Sequence, residues 1–298
     1  MKILIIGSQG FVGAAAVAHF SGLGHEVWEC GVSGKPGSRY FLVERGNPNY
    51  KTLMQAEQFD VCINAAGSPG VGFSFENPDD DFNMNVVNVQ RLLSAIRKFQ
   101  KSCFFILLSS AAVYGNPAML PTPENSATSP LSPYGWHKLL AEQLCMAHAQ
   151  MQHTNYCIIR IFSAYGPGLK KQLFWDLYHK LMTDGPAALW GTGQEARDFI
   201  YTADLMQAIE LVIKNKEAVQ PVINVGSGIE TTIASAVHTL ASCLNSTKEI
   251  IFGGQVKPGD PLRFKADITH LSSLGFSPNF TLQQGLEQYL LWIQKESE

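Results

Sequence analysis

No apolar run in this sequence approaches the roughly 20 residues that span a bilayer. One of its most apolar stretches, Cys103-Phe104-Phe105-Ile106-Leu107-Leu108, is only strand-length. Nor is there an excess of positive charge. Over 298 residues, 22 Lys and Arg stand against 25 Asp and Glu, a net charge of −3, so neither nucleic acid nor an anionic membrane is expected as a partner. Charged residues are scarce, 16% against 46% hydrophobic, the reverse of a disordered chain. Six cysteines, at 30, 62, 103, 145, 157 and 243, form no CxxC pair. Cys30, Cys62, Cys103 and Cys157 lie in strand-like apolar runs, which fits reduced core thiols in a cytoplasmic protein better than disulfides or a metal site. The opening Met1-Lys2-Ile3-Leu4-Ile5-Ile6-Gly7 is too short for a signal-peptide core and is expected to be a buried first strand.

What is present alternates. Apolar runs at 2–6, 26–31, 60–64, 103–109 and 156–162 are separated by helical patterns at about 11–23, 49–57, 79–99 and 134–151. Continuous apolar strands between helices indicate a parallel sheet covered on both faces, a Rossmann-type doubly wound α/β fold. After residue 165 glycine and proline increase, and helical patterns continue at about 171–183, 203–214, 231–244 and 281–294. The expected division is 1–165 for the first domain, rejoined by about 199–225, with 166–298 mainly a smaller C-terminal α/β lobe. A proline-rich stretch from Asn116 to Pro133 joins a strand to a helix and reads as a functional loop at the sheet edge.

Gly7-Ser8-Gln9-Gly10-Phe11-Val12-Gly13 follows the first strand and opens the first helix. Glycine there supplies positive φ and lets the backbone approach a pyrophosphate, while the helix N-terminus offers free N–H groups and partial positive charge. The spacing GxxGxxG departs from the usual GxGxxG, but its place between strand and helix points to a dinucleotide. Ala65, Ala66 and Gly67, after the strand at 60–64, complete the expected cofactor set. NAD-binding folds end the second strand with an acid for the ribose 2′-hydroxyl. Here Gly31 stands at that point, and Ser33, Lys35 and Arg39 are placed to hold a 2′-phosphate. The cofactor is therefore expected to be NAD or NADP, with a lean to NADP.

Tyr134-Gly135-Trp136-His137-Lys138 is a YxxxK on a helix, and residues four apart share a face. A neighbouring Lys⁺ and an oxidised nicotinamide both favour the phenolate of a tyrosine whose ordinary pKa is about 10. Ser110 falls at the end of a strand, at the carboxyl edge where such sheets bind ligands. Its hydroxyl can hold a substrate oxygen while Tyr134 moves the proton. The three residues point to hydride transfer at an alcohol or ketone. His137, on another helical face, is expected to be an ordinary surface or packing residue.

With these blocks in place the chain resembles the extended short-chain dehydrogenase/reductase family, specifically its nucleotide-sugar epimerases, dehydratases and reductases. The resemblance runs from the glycine turn to Gly285 through Ser109-Ser110-Ala111-Ala112-Val113-Tyr114-Gly115, Tyr134/Lys138, Arg160–Gly168, Gly191–Tyr201, Asn224–Gly228 and Pro258–Arg263. It implies a Rossmann lobe for the dinucleotide and a smaller lobe for a nucleoside-diphosphate sugar. Ser110, Tyr134 and Lys138 become the catalytic triad, Lys138 also holding the nicotinamide ribose. Arg197 and Arg263 become the clamp on the sugar-nucleotide diphosphate, a task suited to guanidinium forks. Ser163 stands where many epimerases carry an asparagine that contacts the diphosphate. Many relatives are homodimers, and the helices at 79–99 and 134–151, apolar on more than one face, fit that expectation.

The departures bear on the reaction. Related 4,6-dehydratases carry Thr-Asp-Glu where this chain has Ser110-Ala111-Ala112, and dehydration needs an acid and a base there. An epimerase or a 4-keto reductase needs only Ser, Tyr, Lys and cofactor. The Ser-Ala-Ala-Val-Tyr-Gly block looks most like epimerases, whereas Gly31 looks more like NADP-using reductases. The expectation is a C4 epimerase, with an NADPH-dependent reductase of a 4-keto-6-deoxy sugar as the alternative. A dehydratase or a non-catalytic dinucleotide-binding protein fits less well.

Overall fold

The computed structural model describes residues 1–34, 37–68, 70–255 and 257–297. Seven strands form one parallel sheet: β1 (Lys2–Ile6), β2 (Glu26–Gly31), β3 (Tyr40–Leu42), β4 (Val61–Asn64), β5 (Phe104–Ser110), β6 (Tyr156–Ile161) and β7 (Val222–Val225), in the order β7-β6-β5-β4-β1-β2-β3. β1, β4 and β5 are Ile-, Val-, Leu- and Phe-rich and buried almost throughout, because helices cover both faces. Each such side chain contributes about 1.5–3 kcal/mol relative to exposure. Helices Phe11–Gly22 and Thr202–Lys214 supply one face. Helices Tyr50–Ala56, Asn88–Phe99 and Pro133–Gln152 supply the other. The strand order reverses between β1 and β4, which opens a crevice beyond their carboxyl ends.

A third apolar cluster gathers helices Gln172–Met182, Ile233–Cys243 and Leu282–Ser297. Three short strand pairs lie beside it: Phe199–Tyr201 on Ser163–Tyr165, Thr231–Thr232 on Ala196–Arg197, and Ile250–Phe252 on Ala187–Leu189. All six cysteines are free, and only Cys243 is not fully buried. Among the described residues no helix is long and apolar enough to cross a membrane.

Three details differ from the sequence reading. The helical pattern at 79–99 is interrupted: helix Pro78–Phe82 runs into a π-helical turn at Asn83–Val87 before helix Asn88–Phe99. The wider turn sets Asn85 inward, 1% exposed, with its amide donating to Asp81 O at 3.2 Å. β3 has only three residues, too few for an alternation pattern, and β7 has only four.

Candidate active site

The glycine turn is built from the sheet outward. Gly7 N and Ser8 N donate to Cys30 O at 2.7 and 3.2 Å, and Gly10 N donates to Gly7 O at 3.0 Å. Gly7 has φ +81°, open to glycine without strain. A Cβ on Gly13 would lie 2.0 Å from Gly7 O, so the first helix can start this close to the strand only with glycine there. Phe11 and Val12 belong to that helix's first turn. Gly7, Gln9, Gly10, Ser33, Ala65, Ala66 and Gly67 line one cavity of about 290 Å³ at the crevice. Lys35 lies outside the described residues.

Ser110 ends β5, one residue beyond the run expected, and caps the 3₁₀ turn Ala111–Tyr114 through Ala112 N→Ser110 Oγ at 3.2 Å. The helix that carries Tyr134 and Lys138 begins at Pro133. Ser132 caps it by accepting from Gly135 N at 3.2 Å, with proline in the first turn where its missing N–H costs nothing. A Cβ on Gly135 would stand 2.8 Å from Ala112 O. That close approach brings Tyr134 to Ser110. The Tyr134 phenol is pushed up to about 12 by burial, with Asp81 acting the same way and a hydrogen bond with Ser110 opposing. The sequence reading had Lys⁺ lowering this phenol. Burial dominates instead, and Lys138 Nζ lies 5.8 Å from the ring centre.

Lys138 is 7% exposed and donates to Leu108 O at 3.1 Å. Burial lowers its ammonium to about 8, against the pull of Asp81 and Glu142. A Cβ on Gly67 would lie 3.2 Å from Lys138 Nζ and 2.8 Å from Asn85 Oδ1. That Asn85 oxygen is buried and has no hydrogen-bond partner among the described residues. Cation and orphaned acceptor thus meet beside the glycine-lined cavity and suit a hydroxyl-bearing ligand there. Together with the cradle at Gly7 and Gly13, this arrangement fits a dinucleotide.

His137 is not an ordinary surface residue. Its Nδ1 lies 2.5 Å from Asp81 Oδ2, with the His137 side chain 14% exposed and that of Asp81 fully buried. Asp81 also accepts from Ser68 Oγ, which accepts from Asn85 Nδ2 at 3.1 Å. Sequence reasoning missed this group because three consecutive aspartates, 79–81, give no sign of which turns inward. Glu142 was legible in principle: it follows Tyr134 and Lys138 at the same four-residue spacing. It accepts from Ser109 Oγ at 2.5 Å and from Arg160 at 2.7–3.2 Å.

A second cavity, about 460 Å³, runs between Gly70–Phe73 and the C-terminal part of the chain. Ser163 and Arg197 line it, with Trp190 and Lys257. The carboxylates next to Arg197 in sequence, Glu195 and Asp198, are both engaged elsewhere. Glu195 accepts from Thr192 N and Gly193 N, and Asp198 from Ser227 N, Gly228 N and Ala266 N. Arg197, its side chain 13% exposed, has Asp260 at 3.7 Å. Arg263 is placed differently. Its side chain is 61% exposed, holds Glu230 through two contacts of 2.6 and 2.7 Å, and does not line the cavity. Ser110, Tyr134 and Lys138 line neither cavity, and Gly67 links Lys138 to the first.

A family model described as the NAD dependent epimerase/dehydratase family matches residues 3–226. An uncharacterized UDP-glucose epimerase of Bacillus subtilis is 27% identical over 316 residues, covering 98% of each chain. A GDP-6-deoxy-D-mannose reductase of Pseudomonas aeruginosa is 27% identical over 299 residues, covering 97% of this chain and 96% of its own. The crystal structure of the UDP-glucuronic acid 4-epimerase from Bacillus cereus, in complex with UDP-glucuronic acid and NAD, superposes with a TM-score of 0.88 at 27% identity over 99% of this chain and 100% of its own. With the glycine cradle, the Ser110–Tyr134–Lys138 cluster and a family model spanning most of its length, this chain belongs to the NAD-dependent epimerase/dehydratase family.

Proposed function

We propose that the protein is a nucleotide-sugar 4-epimerase that uses NAD or NADP, with residues 1–165 and about 199–225 mainly holding the cofactor and the rest of 166–298 mainly the sugar nucleotide. The observation that carries this reading is the meeting of Ser110, Tyr134 and Lys138 at the carboxyl end of β5, beside a glycine-lined crevice. Ala111 and Ala112 stand where a dehydratase needs acid and base. A bound nicotinamide would supply a reversible hydride acceptor for the sugar carbon. Ser110 holds the sugar oxygen, Tyr134 removes and restores its proton, and Lys138 holds the ribose and supplies positive charge to the phenol. Arg197, largely buried, with one N–H on Ala196 O at 2.9 Å and Asp260 at 3.7 Å, is assigned to the diphosphate, with Ser163 also lining the second cavity. Arg263 joins them by releasing Glu230. The exposed Phe82, Trp136 and Met146 on the two helical segments support a homodimer.

The second reading, an NADPH-dependent 4-keto-sugar reductase, is favoured by Gly31, which places no acid against a 2′-phosphate, and by the likeness to the Pseudomonas reductase. Incubation with a panel of nucleotide sugars and 4-keto sugars, with NAD or NADPH, separates the two. Isomers formed without net redox change are expected. Gain of two hydrogens with NADPH consumption makes the protein a reductase, and loss of water overturns both readings.

A further inference from the structure

Gly31 ends β2 with no side chain, yet its space is filled. A Cβ built there would stand 2.4 Å from the Tyr40 hydroxyl oxygen. An aspartate carries its carboxylate oxygens about 2.4 Å from its own Cβ by ordinary bond lengths. The phenol oxygen, reaching across from β3, therefore stands as near the strand end as a carboxylate oxygen of residue 31 would. The placement follows from the sheet, since β3 runs parallel to β2 with Tyr40 opposite Glu29. The Tyr40 hydroxyl donates to Ser33 O, and Ser33 Oγ donates to Gln9 Oε1 in the glycine turn. Gln9, Gly31, Ser33 and Arg45 line the cavity assigned to the dinucleotide; Tyr40 is not itself among its lining residues and meets it through its contacts with Gly31 and Ser33. Because its proton is spent on Ser33, the phenol presents lone pairs, the acceptor role that a carboxylate has towards a ribose hydroxyl.

We infer that Tyr40 reads the adenosine ribose in place of the acid that ends the second strand of NAD-binding folds, and that this neutral reader lets the cleft accept NAD and NADP alike. The inference rests on the dinucleotide reading of the same cleft. A carboxylate at this point would repel a 2′-phosphate, whereas a phenol does not. Burial, with Cys30 and Glu29 nearby, pushes the phenol above its ordinary value, so it stays uncharged at neutral pH.

Titration calorimetry with NAD⁺ and NADP⁺ tests this without turnover. The wild-type dissociation constants are expected to agree within about tenfold. Tyr40→Phe is expected to weaken NAD⁺ by roughly three- to tenfold with the melting temperature unchanged, the loss of one hydrogen bond. In the double variant Gly31→Asp/Tyr40→Ala the carboxylate takes the freed space. NAD⁺ affinity should return towards wild type, and NADP⁺ should weaken by at least about tenfold relative to it. A tyrosine that merely braces the loop predicts a double variant no better than Tyr40→Ala, and that result overturns the inference. So does unchanged NAD⁺ binding in Tyr40→Phe, or a wild-type preference beyond about a hundredfold for either nucleotide. If wild type binds neither dinucleotide, the reading of the cleft fails along with the inference.

Discussion

Burial works against both members of the Tyr134–Lys138 pair, raising the phenol to about 12 and lowering the ammonium to about 8. A phenol at 12 is a poor base at neutral pH, so in the proposed reaction its activation would fall to Lys138 and to the charge of a bound oxidised nicotinamide. Tyr134→Phe keeps the ring and removes the proton carrier. Its kcat is expected to fall about 10²–10⁴-fold, while calorimetry finds the nucleotide-sugar affinity changed less than about threefold. Lys138 carries a stability consequence whose sign can be worked out. Its folded pKa lies below the ordinary 10.5, so below about pH 8 the folded chain holds a proton that it binds weakly. The unfolded chain binds more protons between about 8 and 10.5, and this group's contribution to stability therefore rises with pH across that window. Lys138→Met should raise the unfolding free energy at pH 7 by about 1–3 kcal/mol, less what the lost bond to Leu108 O costs. The gain should vanish towards about pH 10, as thermal unfolding at the two pH values will show.

At the scale of elements, the helix that carries Tyr134 and Lys138 is held by what lies behind the face they share. Glu142 and Arg160 are both nearly inaccessible, 0% and 4% exposed, and tie the helix to β6. Tyr114 and Glu124 O add contacts to the same guanidinium at 3.0 and 2.9 Å, which anchors the proline-rich connection at Glu124. Removing one partner strands a buried charge. Glu142→Ala is expected to cost about 3–5 kcal/mol, read as a lower urea midpoint. Glu142→Leu/Arg160→Met, with both charges gone, should be destabilised less than the single variant. The π-helical turn at Asn83–Val87 serves the front of the same helix, since it carries Asn85 inward beside Lys138.

For the whole molecule, the glycine-lined crevice and the second cavity lie in different parts of the chain, and in the proposed reaction their two ligands would meet near Tyr134. Arg197→Ala is expected to weaken a UDP-sugar by at least about tenfold, the loss of a charge-assisted contact to phosphate. Arg263→Ala should weaken it less, because Glu230 competes for that guanidinium. Unchanged binding in both variants would sink the nucleotide-sugar assignment. Light scattering at micromolar concentration is expected to give the mass of a dimer, and a monomer there would remove the proposal built on Phe82, Trp136 and Met146.

The sheet, the glycine turn and the YxxxK helix were legible in the sequence because each is written locally: apolar runs, three glycines between strand and helix, two residues four apart on one face. Ser110 was legible because it closes an apolar run at a known edge. The interruption of 79–99 was not, since its residues keep a helical pattern and differ from a plain helix by one wider turn. What only the tertiary structure decided are meetings between distant residues. Asp81 turns inward to His137, 56 positions away. Arg263 closes on Glu230, 33 positions away. Tyr40 fills the place beside Gly31 from a neighbouring strand. A local pattern states which side chains share a face, but packing chooses which charge or hydroxyl fills each space that the backbone leaves open.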